Sequence, residues 1–181
     1  MSTPERWTLA AVAALLAACA SAPGSSTTAR YGVGAPLGDR ELAGWNIDVG
    51  IDGEGLPPGR GSVAEGKKVY DAKCAACHGA KGQGNPAMRL VGGSVKPPSV
   101  VKTVGSFWPY ATTLYDYVNR AMPWDKPQSL RPDEVYAVSA YVLYLNGIVP
   151  ESSVMDAATL PRVRMPNRDG FTSPDPRPDT Q

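Results

Sequence analysis

The chain has 181 residues, 43% of them apolar and 19% charged, with a net charge of +1. That is enough for one domain of ordinary size, and it excludes a basic surface built to hold polyanions. A single histidine excludes zinc sites and catalytic dyads that need two, and three cysteines, Cys19, Cys74 and Cys77, allow at most one disulfide.

Nineteen glycines and eighteen prolines imply long stretches outside helix and strand. Trp7 to Ala18 (WTLAAVAALLAA) are uncharged and mostly apolar. The run is too short for a bilayer core of about 30 Å and has the length of a signal-peptide core, although Glu5 offsets Arg6 ahead of it. Leu16-Ala17-Ala18-Cys19 resembles the lipobox of bacterial lipoproteins. That resemblance implies a signal peptide over residues 1–18 and acylation of Cys19. In such lipoproteins Ala20 after the cysteine implies sorting to the outer membrane of a Gram-negative cell. Cleavage after Ala22 is the competing reading, disfavoured by Pro23 just beyond the cut. A short buried helix is the third, and nothing caps it.

Residues 19–43 are rich in Ala, Ser, Thr, Gly and Pro and read as a flexible tether with a reach of roughly 25–30 Å. Residues 44–61 alternate Trp45, Ile47, Val49 and Ile51 at strand period. No second run of comparable strength lies nearby, so they read as an extended strap on a helical domain, ended by Pro57-Pro58. Ser62-Val63-Ala64-Glu65 fits a capping box and predicts a helix from Val63 to Cys74. Val63, Gly66, Val69, Tyr70 and Lys73 follow the i, i+3, i+4, i+7 spacing of one stripe, while Lys67 and Lys68 face outward.

Residues 79–106 are Gly- and Pro-rich and read as loop. A second helix is predicted over Thr113–Ala121, stopped by Pro123. Pro132, Asp133 and Glu134 open a third, with Val135, Val138, Tyr141, Val142 and Leu145 on one side and Gly147 as its C-terminal stop. Tyr70 and Tyr141 are expected to pack the first helix on the third. The tail, residues 151–181, is Pro-rich and aperiodic, with a disordered-looking end. Residues 62–150 therefore form the folded domain, net +4 from ten Lys/Arg and six Asp/Glu. Its flanks are mildly acidic, a pattern too weak to name a partner.

Cys74-Ala75-Ala76-Cys77-His78 is C-x-x-C-H, the attachment signal for haem c. Two thiols three residues apart lie on adjacent faces of one helical turn and can form thioethers with the two vinyl groups of one porphyrin. His78 then turns its imidazole to the iron. A thioredoxin-like pair needs a strand–helix context missing here, and a zinc knuckle needs further ligands that the chain lacks. A Cys74–Cys77 disulfide is sterically tight. Haem attachment uses both cysteines and leaves Cys19 for lipid.

With one histidine, the sixth iron ligand falls to a methionine. Met1 leaves with the signal peptide. Met88 follows His78 by only ten residues, too few to cross easily to the opposite haem face. Met155 and Met165 lie in the tail, where core filling is the simpler role. Met122 follows the second helix, 44 residues after His78, and is stiffened by Pro123. It is the expected ligand, and thioether ligation raises the reduction potential. Trp108 is a candidate donor to a haem propionate, with Tyr110, Trp124, Arg89 and Arg120 behind it. The second ring nitrogen of His78 needs an acceptor, expected to be a carbonyl near Pro86.

This order of C-x-x-C-H, middle helix, Met-Pro and closing helix resembles class I c-type cytochromes. The resemblance implies an all-α class I cytochrome c fold around one covalent haem c, working by single-electron transfer. TVGSFWPYATTLYDYVNRAMP (103–123), DEVYAVSAYVLYLNGIV (133–149), MPNRDGF (165–171) and GWNIDV (44–49) are similar to the cytochrome subunits of bacterial sulfite and sulfane dehydrogenases. That similarity covers roughly residues 44–171. It carries the haem ligands onto His78 and Met122 and the attachment onto Cys74 and Cys77, and it implies a molybdenum-cofactor subunit as partner. Some relatives hold two haems, whereas this chain has one attachment motif. Arg89 stands where many such cytochromes have proline, which bears on the carbonyl partner of His78.

The expectation is a non-catalytic electron-transfer protein, periplasmic and lipid-anchored through Cys19, with no nucleic-acid role. A stand-alone lipid-anchored carrier for another dehydrogenase or a terminal oxidase is the alternative. A haem enzyme or gas sensor, which needs an open sixth position, is opposed by Met122.

Overall fold

A computed structural model of the chain describes residues 36–98 and 100–172. The signal peptide, Cys19, Ala20 and most of the tether lie outside the described residues, as do the last nine residues of the tail. Contacts divide the chain into two units, Met1–Gly38 and Asp39–Gln181, and every element below belongs to the second.

Six α-helices and one two-stranded sheet are present among the described residues: α1 (Asp39–Ala43), β1 (Arg60–Ser62), α2 (Val63–Lys73), α3 (Ala75–His78), α4 (Val104–Phe107), α5 (Ala111–Ala121), α6 (Pro132–Leu145) and β2 (Val154–Asp156). A 3₁₀ turn, Leu160–Arg162, follows. The fold is mostly helical. None of these helices is long and apolar enough to cross a membrane.

The start of α2 is set locally. The Ser62 hydroxyl accepts from the Glu65 N–H at 3.2 Å, and the Glu65 carboxylate accepts from the Ser62 N–H at 2.8 Å. These bonds satisfy two donors that a helix end otherwise leaves free. The Ser62 hydroxyl, donating to the Glu65 carboxylate at 2.6 Å, together with the Ser62 N–H holds that carboxyl below the usual range. α6 starts at Pro132, with the Arg131 N–H donating to Glu134 at 2.9 Å. The second helix begins at Ala111, two residues ahead of the sequence expectation. The predicted loop contains α4, capped by Thr103 and Ser106 in a reciprocal pair. A capping box without apolar periodicity announces only one turn, so sequence pattern alone passes it over. The tether expectation is also modified, since Asp39–Ala43 is one helical turn.

α2 and α6 pack at the centre, with Tyr70 and Tyr141 ring centroids 5.3 Å apart as expected. α6 is buried from Val135 to Leu143, on every side rather than one. The reason is that α2, α5, β1 and β2 all pack on it. Each large apolar side chain buried there stabilises the fold by about 1.5–3 kcal/mol.

The strap forms no strand over 44–56 and is not extended throughout, since it turns at 44–45, 51–52 and 54–55. Its alternation does not mark one buried face either, with Trp45 and Ile51 exposed and Ile47 and Val49 half-buried. It is held by polar contacts to α5. The Val49 N–H donates to Asp116 at 3.1 Å, and Asp48 pairs with Arg120 at 2.6 Å. The strap ends in β1, which pairs antiparallel with β2 in the register Arg60–Asp156, Gly61–Met155, Ser62–Val154. The tail, aperiodic in sequence, thus adds a strand and buries Met155, Leu160 and Met165 in the core.

Candidate haem-binding site

The site is built on one turn of helix. α2 ends at Lys73, and the Cys74 N–H still donates to the Tyr70 carbonyl at 2.9 Å. The chain then tightens, so that the Cys77 and His78 N–H groups both donate to the Cys74 carbonyl, at 3.1 and 2.9 Å. This places the two cysteines and the histidine around a single turn, the arrangement that the spacing implied. Cys74 is half-buried against the core, Cys77 is exposed, and the two thiols are not bonded to each other. Burial pushes the Cys74 thiol up to about 11. A thiol protonated at neutral pH is a poor nucleophile, which argues against a thioredoxin-like redox pair. Among the described residues no group of three His, Cys, Asp or Glu is placed to hold a metal ion.

Gly79 ends the turn with φ +79, a conformation that side chains disfavour, and its carbonyl accepts from the Tyr70 hydroxyl at 2.9 Å. The following loop folds back over the turn. Gly84 N–H donates to the His78 carbonyl at 2.8 Å, and Ala87 N–H to the Cys77 carbonyl at 2.9 Å. At the tip of this loop the main-chain carbonyl of Met88 lies 2.8 Å from His78 Nδ1. The acceptor is therefore two residues beyond the expected position near Pro86, and it exists without a proline at Arg89. The Met88 side chain is 79% exposed, so this residue acts through its backbone. Main-chain acceptors carry no signature in sequence, which is why Met88 was assigned no role there.

Met122 closes α5. Its N–H donates to the Val118 carbonyl at 3.1 Å, and its own backbone, at φ −123 and ψ 148, leaves the helix. The residue is half-buried. Trp108, also half-buried, packs edge-on to Tyr117 of α5 with centroids 5.6 Å apart. Trp124 is 83% exposed and Tyr110 lies beneath the Arg168 guanidinium. Arg120, considered for a propionate, is committed elsewhere: it holds Asp48 at 2.6 Å and Asp116 at 2.8 Å, because both carboxylates sit within reach of the last turn of α5. Arg89 donates to the Gln83 carbonyl at 3.3 Å. Cys19 lies outside the described residues.

These residues fit a covalently attached haem. The donor set is two unbonded thiols on one turn, an imidazole with Nδ1 already occupied so that Nε2 is left to bind, and a thioether at the end of a different helix. Half-buried Leu90, Trp108 and Val118 offer apolar surface beside the core.

Residues 63–146 match the family described as cytochrome c. Over 89 residues the chain is 35% identical to the thiosulfate dehydrogenase of Stutzerimonas stutzeri (strain A1501). That match takes in 48% of this chain and only 28% of the relative, so the chain spans little more than a quarter of that protein's length. Among solved structures it matches the crystal structure of the sulfane dehydrogenase SoxCD from Paracoccus pantotrophus at 40% identity and a TM-score of 0.76, covering 83% of this chain and 75% of that one. With that identity over that share of both chains, and a haem-attachment turn at the head of the matched fold, the chain belongs to the cytochrome c family and is an electron carrier.

Proposed function

We propose that the chain is a monohaem cytochrome that serves as the cytochrome subunit, or the immediate electron acceptor, of a periplasmic molybdenum sulfite or sulfane dehydrogenase. The observation that carries this reading is the match to the sulfane dehydrogenase SoxCD along 83% of the chain. In this reading Cys74 and Cys77 would hold the haem covalently through their sulfurs, and His78 and Met122 would supply the ligands to its iron. Bound haem supplies a ferric/ferrous couple that accepts and donates one electron at a time. The protein's own part is positional. The loop over 79–92 presents the Met88 carbonyl to His78 Nδ1, which fixes the tautomer that leaves Nε2 free. α5 delivers the Met122 sulfur, whose softness favours the ferrous state. The chain itself is non-catalytic, and Trp108 is a candidate donor to a propionate.

The single C-x-x-C-H motif supports one haem. The apolar run ahead of Cys19 supports export and a lipid anchor, on the outer membrane if Ala20 is read as in other lipoproteins. A stand-alone lipid-anchored carrier for another dehydrogenase or a terminal oxidase is the second reading, favoured by the match to a thiosulfate dehydrogenase. A haem enzyme or gas sensor is the least supported, since Met122 would fill the sixth position.

The test is reduction of the purified, haem-loaded cytochrome by a purified molybdenum-cofactor sulfite or sulfane dehydrogenase subunit, with sulfite or a sulfane substrate as reductant. Stoichiometric reduction at the turnover rate of that enzyme is expected. No reduction, with reduction by an unrelated dehydrogenase instead, moves the assignment to the second reading.

A further inference from the structure

Asn146, the residue that follows α6, grips the base of the histidine-side loop from both sides. Its Oδ1 accepts from the Gly92 N–H at 3.1 Å, and its Nδ2 donates to the Leu90 carbonyl at 3.2 Å and to the Val142 carbonyl at 2.8 Å. One side-chain amide thus meets a donor and an acceptor two residues apart on the loop while bound back to its own helix. Only an amide does this: a carboxylate of the same shape has no donor for the two carbonyls, and a leucine has neither group. The neighbourhood is closed around it. A β-carbon at Gly105 would collide with the Asn146 side chain, so α4 packs directly on the amide. The Gly92 carbonyl accepts in turn from the Thr103 hydroxyl.

The loop has further anchors: the Gly82 carbonyl accepts from the N–H groups of Leu90 and Val91 at 2.9 and 3.1 Å, and the Ala87 N–H is held by the Cys77 carbonyl at 2.9 Å. Asn146 and Gly82 thus hold the strand of the loop that leads back from its tip. That tip is Met88, two residues before Leu90, whose carbonyl meets His78 Nδ1 at 2.8 Å.

We propose that Asn146 is a positioning residue for the axial histidine: by fixing Leu90 and Gly92 it holds the Met88 carbonyl on His78 Nδ1. The proposal rests on the reading of His78 as an iron ligand. A well-placed acceptor on Nδ1 makes the imidazole a stronger donor through Nε2 and stabilises the ferric state. Loosening the acceptor weakens that donation, so the reduction potential rises.

The test compares mature, haem-loaded wild type with Asn146→Asp, with Asn146→Ser and with Tyr136→Phe, which weakens the fold far from this loop. Three quantities are read: the thermal midpoint, the reduction potential, and the hydrogen-exchange rate of the His78 Nδ1 proton by NMR. In Asn146→Asp the exchange rate is expected to rise about tenfold, and in the uncharged variant Asn146→Ser, which adds no carboxylate to lower the potential by its own charge, the potential is expected to shift upward. Tyr136→Phe is expected to lower the midpoint and leave both other readings at wild type. If the Asn146 variants lower the midpoint alone, Asn146 is a structural residue and the proposal is overturned. If Asn146→Asp does not fold, Asn146→Ser yields the exchange reading as well. The reading beneath is judged separately, on the wild type: unless its His78 ring protons carry the shifts of an iron-bound imidazole, the ligand assignment fails whatever the variants do.

Discussion

Gly66 of α2 lies directly against the main-chain carbonyl of Ala137 in α6. A β-carbon at residue 66 would overlap that carbonyl and stand 2.8 Å from the β-carbon of Tyr141. The crossing of the two central helices is therefore closed backbone to backbone. This close approach lets Tyr70 and Tyr141 pack ring to ring one turn further along.

Gly66→Ala opposes two effects. Alanine favours the helix by roughly 1 kcal/mol over glycine. Forcing its methyl into the Ala137 backbone costs about 1–3 kcal/mol, because a main-chain carbonyl cannot swing aside as a side chain can. The clash wins, so denaturant unfolding of Gly66→Ala should show a lower midpoint, and Gly66→Val a much lower one. An unchanged midpoint for Gly66→Val would refute the close crossing.

The strap contacts differ in weight. Asp48 is 82% exposed, so its pair with Arg120 is a surface ion pair, and Asp48→Asn should cost under about 1 kcal/mol. Asp116 is 25% exposed and does two things, holding Arg120 and accepting the Val49 N–H. Asp116→Ala should therefore cost more, about 1–2 kcal/mol, and expose residues 44–56 to limited proteolysis. Equal sensitivity of the two variants to protease would contradict this ranking.

Tyr136 is fully buried and its hydroxyl donates to the Pro57 carbonyl at 2.9 Å, which ties the end of the strap to α6. Burial pushes its phenol from 10 up to about 12. A raised folded-state pKa means that its contribution is complete below pH 10. Between pH 10 and about 12 the unfolded chain ionises first and stability falls. Tyr136→Phe should lose about 1 kcal/mol at neutral pH and show a shallower decline across that alkaline range in equilibrium unfolding.

The two methionines near the site predict opposite outcomes. Met122→Ala removes the proposed thioether ligand, so the reduction potential should fall and the reduced protein should bind carbon monoxide at neutral pH. Met88→Ala removes a side chain that is 79% exposed and keeps the carbonyl that faces His78. Its absorption spectrum and potential should match wild type. An unaltered spectrum in Met122→Ala would remove Met122 from the iron.

Chemistry that is local in the chain was legible without a structure. Cys74, Cys77 and His78 announce themselves because one helical turn must carry all three groups. The starts of α2 and α6 are written in Ser62, Glu65 and Pro132, whose caps act within four residues. The place of Met122 at the end of α5, before Pro123, is equally local, and the Tyr70–Tyr141 contact followed from the two helical stripes.

What tertiary structure alone decided involves partners far apart or without side-chain identity. The acceptor for His78 is a carbonyl, which every residue has, so nothing in the sequence distinguishes Met88 from its neighbours. Asn146 beside Gly147 reads as an ordinary helix end until Leu90 and Gly92 are seen against its amide. Arg120 looked available to a propionate until Asp48 was brought beside it from the strap. The pairing of Gly61 with Met155 joins strands three residues long, too short for any period to show, across most of the folded unit. In each case the deciding energy is a contact between segments whose separation in the chain leaves no local pattern to read.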